Sequence, residues 1–229
     1  VGTVFLYRLA QDKVMAAWLL SPIVVGSAYD FLKHGNLRYG IAFSAVALAT
    51  VNVHPTIFFY IGLIVGILVV LYVLFQSRKL QHIIIVGVIL GSCTLIPFAL
   101  RYIAPNDFTF DVADISDRGL KYHERHFESL ALSDDFDVLY GISPHLRDGT
   151  AFIMVYVATG IALFSLKSFP LGYYIIACSV LLLAVSNPIT APFIGKLISP
   201  FQLWRATWLM PFGIATTMVF YTLSRYTDW

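Results

Sequence analysis

Residues Thr56–Phe75 read TIFFYIGLIVGILVVLYVLF and contain no charged side chain. A helix that crosses the hydrocarbon core of a bilayer needs about 20 mostly apolar residues. This stretch therefore predicts a transmembrane helix, and the sequence contains six further apolar runs that favour the same interpretation. We predict about seven spans, at Val14–Leu32, Tyr39–Val53, Thr56–Phe75, Ile83–Ile103, Thr150–Leu166, Leu171–Ser186 and Leu203–Leu223.

The overall composition is typical of a protein whose main solvent is lipid. Of the 229 residues, 59% are hydrophobic and only 12% are charged, about half the charged fraction of an ordinary soluble domain. The apolar runs are too long for strands and do not alternate with polar residues. The sequence therefore predicts an all-α, polytopic transmembrane helix bundle over residues 1–229, with the lipid bilayer as a partner. The formal net charge of +2 does not favour a nucleic-acid partner.

One segment, residues 104–149, has a different composition from the rest of the chain. It holds ten of the thirteen acidic residues, against four Lys or Arg. We predict a long solvated loop here, with a short helix capped by Ser116 or Asp117 and running to about Leu132.

The orientation of the bundle follows from the short connections between the predicted spans. Alternate connections hold six cations, which are Lys33, Arg38, Arg78, Lys79, Lys167 and Arg225. The positive-inside rule places these connections in the cytoplasm. His54, the acidic segment 104–149 and the loop Asn187–Gln202 are then expected to share the extracytoplasmic face.

A polar turn, Asn52-Val53-His54-Pro55, separates the second and third apolar runs. Proline disfavours helical geometry at the residue before it, so we predict a helix break at His54. Asn52 and His54 in so short a turn are candidates for contact with a ligand. The alternative is a simple turn whose polar groups meet water.

The last apolar run carries an arginine, Arg205, between Trp204 and Trp208. An arginine within or beside a membrane helix is costly unless it is paired or hydrated. Its guanidinium group can bind a phosphate through two parallel hydrogen bonds. Arg205 is therefore the leading candidate for a phosphate contact, the alternative being an arginine that reaches the lipid headgroups between interfacial tryptophans.

The acidic segment contributes weaker candidates. Asp107 and Asp111 are four residues apart and would share one face if the segment were helical, which makes them the candidates for acid–base catalysis. Pro105 and Asn106 favour a loop instead, in which the two carboxylates are simply solvated. Arg101, His123 and His126 are secondary candidates for the site. A divalent metal on the two histidines is left open, but their spacing favours a solvated helix face over a metal site, and we assign no cofactor. Cys93 and Cys178 lie inside apolar runs and are expected to be buried helix residues.

Two stretches carry a family resemblance. They are Ala47–Pro55, which includes Asn52 and His54, and the region from Ser186-Asn187-Pro188 to Leu203-Trp204-Arg205-Ala206-Thr207-Trp208-Leu209-Met210-Pro211. Together they resemble uncharacterised bacterial members of the GT-C superfamily of integral membrane glycosyltransferases. The resemblance implies a plasma-membrane enzyme that transfers a sugar from a polyprenyl-phosphate donor to a glycan, lipid or protein acceptor on the outer face.

The resemblance also implies roles for individual residues. Arg205 and His54 would contact the donor phosphate. The family usually places its catalytic carboxylate in a first outer loop near the N-terminus, and nothing here matches that loop. Because the chain begins with Val1, we expect it to be an internal fragment that lacks the N-terminal part. The rival hypotheses are a polymerase or ligase of lipid-linked glycans, and a transporter or membrane subunit without enzymatic activity.

Overall fold

The computed structural model describes residues 16–76, 80–103, 131–132, 139–140, 150–165, 171–187, 189–190, 193–194 and 200–227. This part of the chain is all-α, apart from one two-residue antiparallel strand pair. Its seven α-helices are α1 (Ser21–His34), α2 (Leu37–Val53), α3 (Pro55–Phe75), α4 (Leu80–Ile103), α5 (Thr150–Ser165), α6 (Leu171–Ser186) and α7 (Phe212–Thr227). A π-helical segment, Ala16–Leu20, precedes α1, and a 3₁₀ segment, Pro200–Leu209, precedes α7.

Helix α3 lies at the centre of the bundle. It packs against α1, α2, α4 and α6 and against both non-α segments. Its buried side chains recur at helical spacing on one face, where Tyr60, Ile61, Ile64 and Leu68 are almost completely excluded from solvent. With 21 residues, α3 is the one helix in the described ranges that is both long and apolar enough to cross a membrane. Helices α2, α5 and α6 are apolar but shorter.

In the described part of the chain, each of the seven predicted apolar runs lies mainly on helical segments. The run at Leu171–Ser186 has the same bounds as α6, and the run at Thr56–Phe75 begins one residue after α3. Two of the seven differ in kind from the prediction, and proline explains both differences.

The first of these runs, Val14–Leu32, is not one continuous α-helix. Residues 16–20 form the π segment, and α1 begins at Ser21 with Pro22 in its first turn. An α-helix through this point would need the N–H of residue 22 to donate to the carbonyl of Trp18, and proline has no N–H. The π segment is the local adjustment that accommodates this loss.

The last run, predicted as one span at Leu203–Leu223, is also divided. The 3₁₀ segment ends at Leu209, Met210 and Pro211 belong to no helix, and α7 starts at Phe212. Pro211 disfavours α geometry at Met210. Its carbonyl accepts the N–H of Ala215 at 2.8 Å, which is the first α-type bond of the new helix. The prediction of a single helix through this region is therefore wrong.

The last two residues of the helix predicted to run to about Leu132 form a strand instead. Ala131–Leu132 pairs with Leu139–Tyr140 as an antiparallel two-stranded ladder. The remainder of that predicted helix, and most of the acidic segment 104–149, lie outside the described residues.

Polar side chains within the helices are largely satisfied by their own helix. Hydroxyl groups on five of the seven helices donate to the carbonyl four residues earlier, at 2.7–2.9 Å. They belong to Ser44, Thr50, Thr94, Thr159, Ser165, Ser179, Thr217 and Thr222. Such bonds satisfy hydroxyl groups without water.

Candidate functional site

His54 is the junction between α2 and α3. Its N–H donates to the carbonyl of Thr50 at 2.9 Å and ends α2, while its extended backbone (φ −155°, ψ 97°) turns the chain. Its ring Nδ1 accepts the N–H of Ile57 at 3.3 Å and caps α3. Pro55 occupies the first position of α3, where a missing N–H costs nothing. The predicted helix break at His54 is thus confirmed.

The cap also fixes the chemistry of the His54 ring. Because Nδ1 accepts a hydrogen bond, the proton of the neutral ring resides on Nε2. Nε2 is then a donor, which suits an oxyanion rather than a metal ion. His54 is half-buried, at the tip of the α2–α3 hairpin.

Asn52, the second-to-last residue of α2, is exposed, and its side-chain nitrogen donates to the carbonyl of Leu48 at 2.7 Å. Part of its amide is therefore committed to its own helix. This bond supports a structural role for the amide nitrogen.

Arg205 lies in the 3₁₀ segment. With three residues per turn, a 3₁₀ helix places residues i and i+3 on the same side. Ala206 and Leu209 share one such side and are buried, whereas Arg205 and Trp208 share the next side and are half-buried. The guanidinium Nε of Arg205 is itself buried. The segment therefore holds a cation at the boundary between the core and the surface.

The neighbour that identifies the location of Arg205 is Tyr60 of α3. The positive charge of Arg205 acts on the Tyr60 hydroxyl, and the Tyr60 side chain is fully buried. Tyr60 is six residues beyond His54, a rise of about 9 Å along α3. The structure therefore brings Arg205 to the same half of α3 that His54 caps, two turns further into the bundle.

The sequence did not identify Tyr60, because it stands in an uncharged run that reads as core. A hydroxyl-bearing aromatic inside an uncharged apolar span was the available signal. The sequence also missed the packing of the π segment against the 3₁₀ segment. That contact joins the two places where proline interrupts an apolar run.

The other candidates add little to this geometry. Arg101 is in the last turn of α4, with its side chain outside the described part. Asp107, Asp111, His123 and His126 lie outside the described residues, so their predicted roles stay predictions. Within the described ranges, no three His, Cys, Asp or Glu side chains come together as a metal site. Cys93 and Cys178 are buried and free, as expected from their apolar surroundings.

The arrangement is suited to binding an anion. A guanidinium group offers a planar set of donors that matches phosphate or carboxylate, and its interaction strengthens where water is excluded. Comparison of the chain with protein-family models, with curated proteins and with solved structures finds no match. What the site does is therefore argued from its own residues.

Proposed function

We propose that this chain is a polytopic membrane glycosyltransferase that moves a sugar from a polyprenyl-phosphate donor to an acceptor on the outer face of the membrane. The observation that carries the proposal is the position of Arg205. A non-α segment that packs against α3 holds this cation within electrostatic reach of Tyr60, in the half of α3 that begins at His54. A lipid-linked phosphate that enters from the side of a bilayer needs a cation at the boundary between the core of the bundle and its surface, where Arg205 lies.

The surface of the helices supports a lipid environment. Large apolar side chains are exposed along the helices, including Leu74 (69%), Val88 (61%), Phe164 (96%) and Leu183 (64%). A water-soluble monomer rarely exposes apolar surface so extensively. Helices shorter than 20 residues fit a bilayer when the span is completed by adjoining segments, as the π segment does for α1.

The backbone of the 3₁₀ segment supports a site rather than a plain span. In hydrocarbon, irregular backbone is tolerated only where it is buried in protein or lines a cavity. Ala206, Thr207 and Leu209 are buried against the bundle, which leaves Arg205 and Trp208 toward the boundary.

The chemistry assigned to these residues is phosphate binding and leaving-group stabilisation. As the bond between the sugar and the phosphate oxygen breaks, negative charge grows on that oxygen, and the Arg205 guanidinium stabilises it. His54 donates from Nε2 to the donor and orients it. A carboxylate takes the proton from the acceptor hydroxyl as that oxygen attacks the sugar, and Asp107 and Asp111 remain the predicted candidates for this role.

The test is sugar transfer in membranes from cells that express Arg205→Ala, with a radiolabelled polyprenyl-phosphate sugar as donor. We expect a loss of about 10²-fold or more in rate, as for removal of a key charge-stabilising donor, and partial recovery in Arg205→Lys. Arg225→Ala is the matched control, because Arg225 is exposed at the far end of α7 and contacts only Tyr221 among the described rings. Unchanged transfer by Arg205→Ala at normal expression would refute the assignment.

A second function, transport of an anionic solute, is favoured by one specific observation. The π segment and the 3₁₀ segment are two interrupted apolar runs that pack against each other. Many secondary transporters place their substrate between paired discontinuous helices. Uptake of a labelled organic phosphate into sealed proteoliposomes, dependent on Arg205, would establish this alternative, whereas sugar transfer without uptake would exclude it.

A further inference from the structure

The turn between α1 and α2 and the first residues of α4 form one compact unit at the end of the bundle. The ring Nδ1 of His82, in the first turn of α4, donates to the carbonyl of Leu32 near the end of α1 at 3.1 Å. The same ring lies 5.6 Å from that of Phe31, and a Cβ atom at Gly35 would overlap it. The start of α4 is therefore packed directly against the turn that joins α1 to α2.

This unit presents cations and apolar side chains next to each other. Lys33 and Arg38, on either side of the turn, are exposed. Leu37 is 75% exposed, and Leu80, two residues before His82, is 67% exposed. We call Lys33, Leu37, Arg38 and Leu80 the basic–apolar patch. A surface of this composition fits the zone where lipid headgroups meet acyl chains, because the cations reach the headgroups while the leucines stay in the apolar part.

The cations of the patch have no counter-ion in the described part of the chain. Asp30, on α1, is the one acidic residue in the described ranges, and neither Lys33 nor Arg38 forms an ion pair with a described residue. In the sequence, two further cations, Arg78–Lys79, directly precede Leu80. The positive charge of this region is therefore open to an anion from outside the chain.

The location of the patch decides which kind of anion reaches it. On the membrane placement proposed above, on which this inference rests, the α1–α2 turn lies at the cytoplasmic boundary of the bilayer, where the leaflet carries anionic lipids. A free phosphate would satisfy the cations and leave Leu37 and Leu80 in water, whereas a phospholipid offers an anionic headgroup and acyl chains together. We propose that the basic–apolar patch is a docking surface for anionic phospholipids of the cytoplasmic leaflet.

The test is thermal unfolding of the purified full chain in an uncharged detergent with added phosphatidylglycerol, phosphatidylcholine, glycerol phosphate or poly-glutamate. We expect phosphatidylglycerol to raise Tm by about 2–4 °C more than the other three additives, in a saturable manner. About 0.5 M NaCl should weaken this shift, because salt screens exposed charges. Equal shifts from the two phospholipids would overturn the proposal. A shift of the same size from glycerol phosphate or poly-glutamate would also overturn it, in favour of a soluble anion or an acidic protein.

Substitutions at exposed positions locate the effect. Arg38→Gln should reduce the difference between the two phospholipids, and the double variant Lys33→Gln with Arg38→Gln should abolish it. Lys33→Arg with Arg38→Lys keeps both charges and should retain the difference. Arg225→Gln is the matched control for Arg38→Gln, because it removes one exposed cation from α7, and it should leave the response unchanged. A response that survives the double Gln variant, or that falls as much in Arg225→Gln as in Arg38→Gln, would refute the patch.

Membrane residence is measured separately, as retention of the chain in membranes washed with alkaline carbonate. Retention without a response to phosphatidylglycerol would overturn this inference and leave the proposed function standing. Loss of the chain from the washed membranes would overturn the proposed function and, with it, the docking surface. Retention together with a response that depends on Lys33 and Arg38 is the expected result.

Discussion

The hydroxyl oxygens of Ser21 and Tyr174 lie 3.2 Å apart inside the bundle, although 153 positions separate them in the chain. Both side chains are buried, and the thiol of Cys178, one turn beyond Tyr174, shares a hydrogen bond with the same phenol. Ser21 is the first residue of α1, immediately after the π segment. The bond therefore attaches the first interrupted run to α6.

This bond predicts a measurable contribution to stability. Replacement of Tyr174 by Phe should lower the free energy of unfolding by about 1–3 kcal/mol, because the buried Ser21 hydroxyl loses its partner. Ser21→Ala should cost a similar amount, and the double variant should cost less than the sum of the two. Denaturant unfolding in detergent measures all three. Ser27→Ala is the control, since Ser27 bonds only to the carbonyl of Val24 in its own helix; additive losses for Ser21 and Tyr174 would contradict the interaction.

Replacement of glycine by alanine should have opposite effects on stability at two positions, Gly35 just after α1 and Gly26 inside it. Gly35 has φ +64°, and a Cβ atom there would overlap the imidazole of His82. Gly35→Ala should therefore destabilise the chain by about 2 kcal/mol, of which about 1–2 kcal/mol is the cost of the left-handed backbone. At Gly26, within α1, an added Cβ meets nothing within 4 Å, so Gly26→Ala should stabilise by roughly 0.5–1 kcal/mol. Thermal unfolding of the two variants checks the signs, and a loss at Gly26 as large as that at Gly35 would rule out this account.

The two roles of His54 are separable by substitution. His54→Ala removes the cap of α3 and should cost about 1 kcal/mol, and His54→Asn should restore that stability because asparagine is a strong N-cap residue. If His54 also contacts the donor, His54→Asn should still fail in sugar transfer. Thermal unfolding and transfer assays on the same preparations give the comparison. Full sugar-transfer activity in a stable His54→Asn variant would show that His54 serves only as the N-cap of α3.

The topology is tested by labelling introduced cysteines with a membrane-impermeant maleimide in intact and in opened cells. Asn52 and Asn187 are exposed at the ends of α2 and α6, and Asn36 is exposed between α1 and α2. We expect cysteines at 52 and 187 to react from one compartment and a cysteine at 36 from the other. The native Cys93 and Cys178 are buried and should stay unreactive. Labelling of the cysteines at positions 52 and 187 from opposite compartments would rule out the proposed site.

The sequence predicted the helices well where turn residues mark both of their ends. Pro170 precedes α6 and Asn187-Pro188 follows it, so its bounds could be read directly. His54 was predicted for the same reason, because Pro55 follows it. These are local effects of the backbone, and they depend little on what the helix packs against.

The features that the sequence did not predict depend on contacts distant in the chain. Apolar periodicity does not distinguish an α-helix from the 3₁₀ geometry of residues 200–209, because the choice is made by packing against α3 and α6. Arg205 lies within electrostatic reach of Tyr60, although the two residues are 145 positions apart in the sequence. The ring of Tyr29 on α1 likewise packs against Tyr72 of α3 and Tyr173 of α6, and no local sequence pattern predicts these contacts.

The hydroxyl groups that bond within their own helices have a consequence for biosynthesis. If these helices span a membrane as proposed, a helix whose Ser and Thr side chains are already bonded to its own carbonyls needs no neighbouring helix to satisfy them. Thr159 is bonded in this way to Val155 and also meets Ser179 of α6 at 2.7 Å. On the proposed membrane topology, insertion and association of α5 and α6 become separate events: each helix would enter the bilayer with its hydroxyl groups already bonded, and the Thr159–Ser179 pair would join the two helices afterwards.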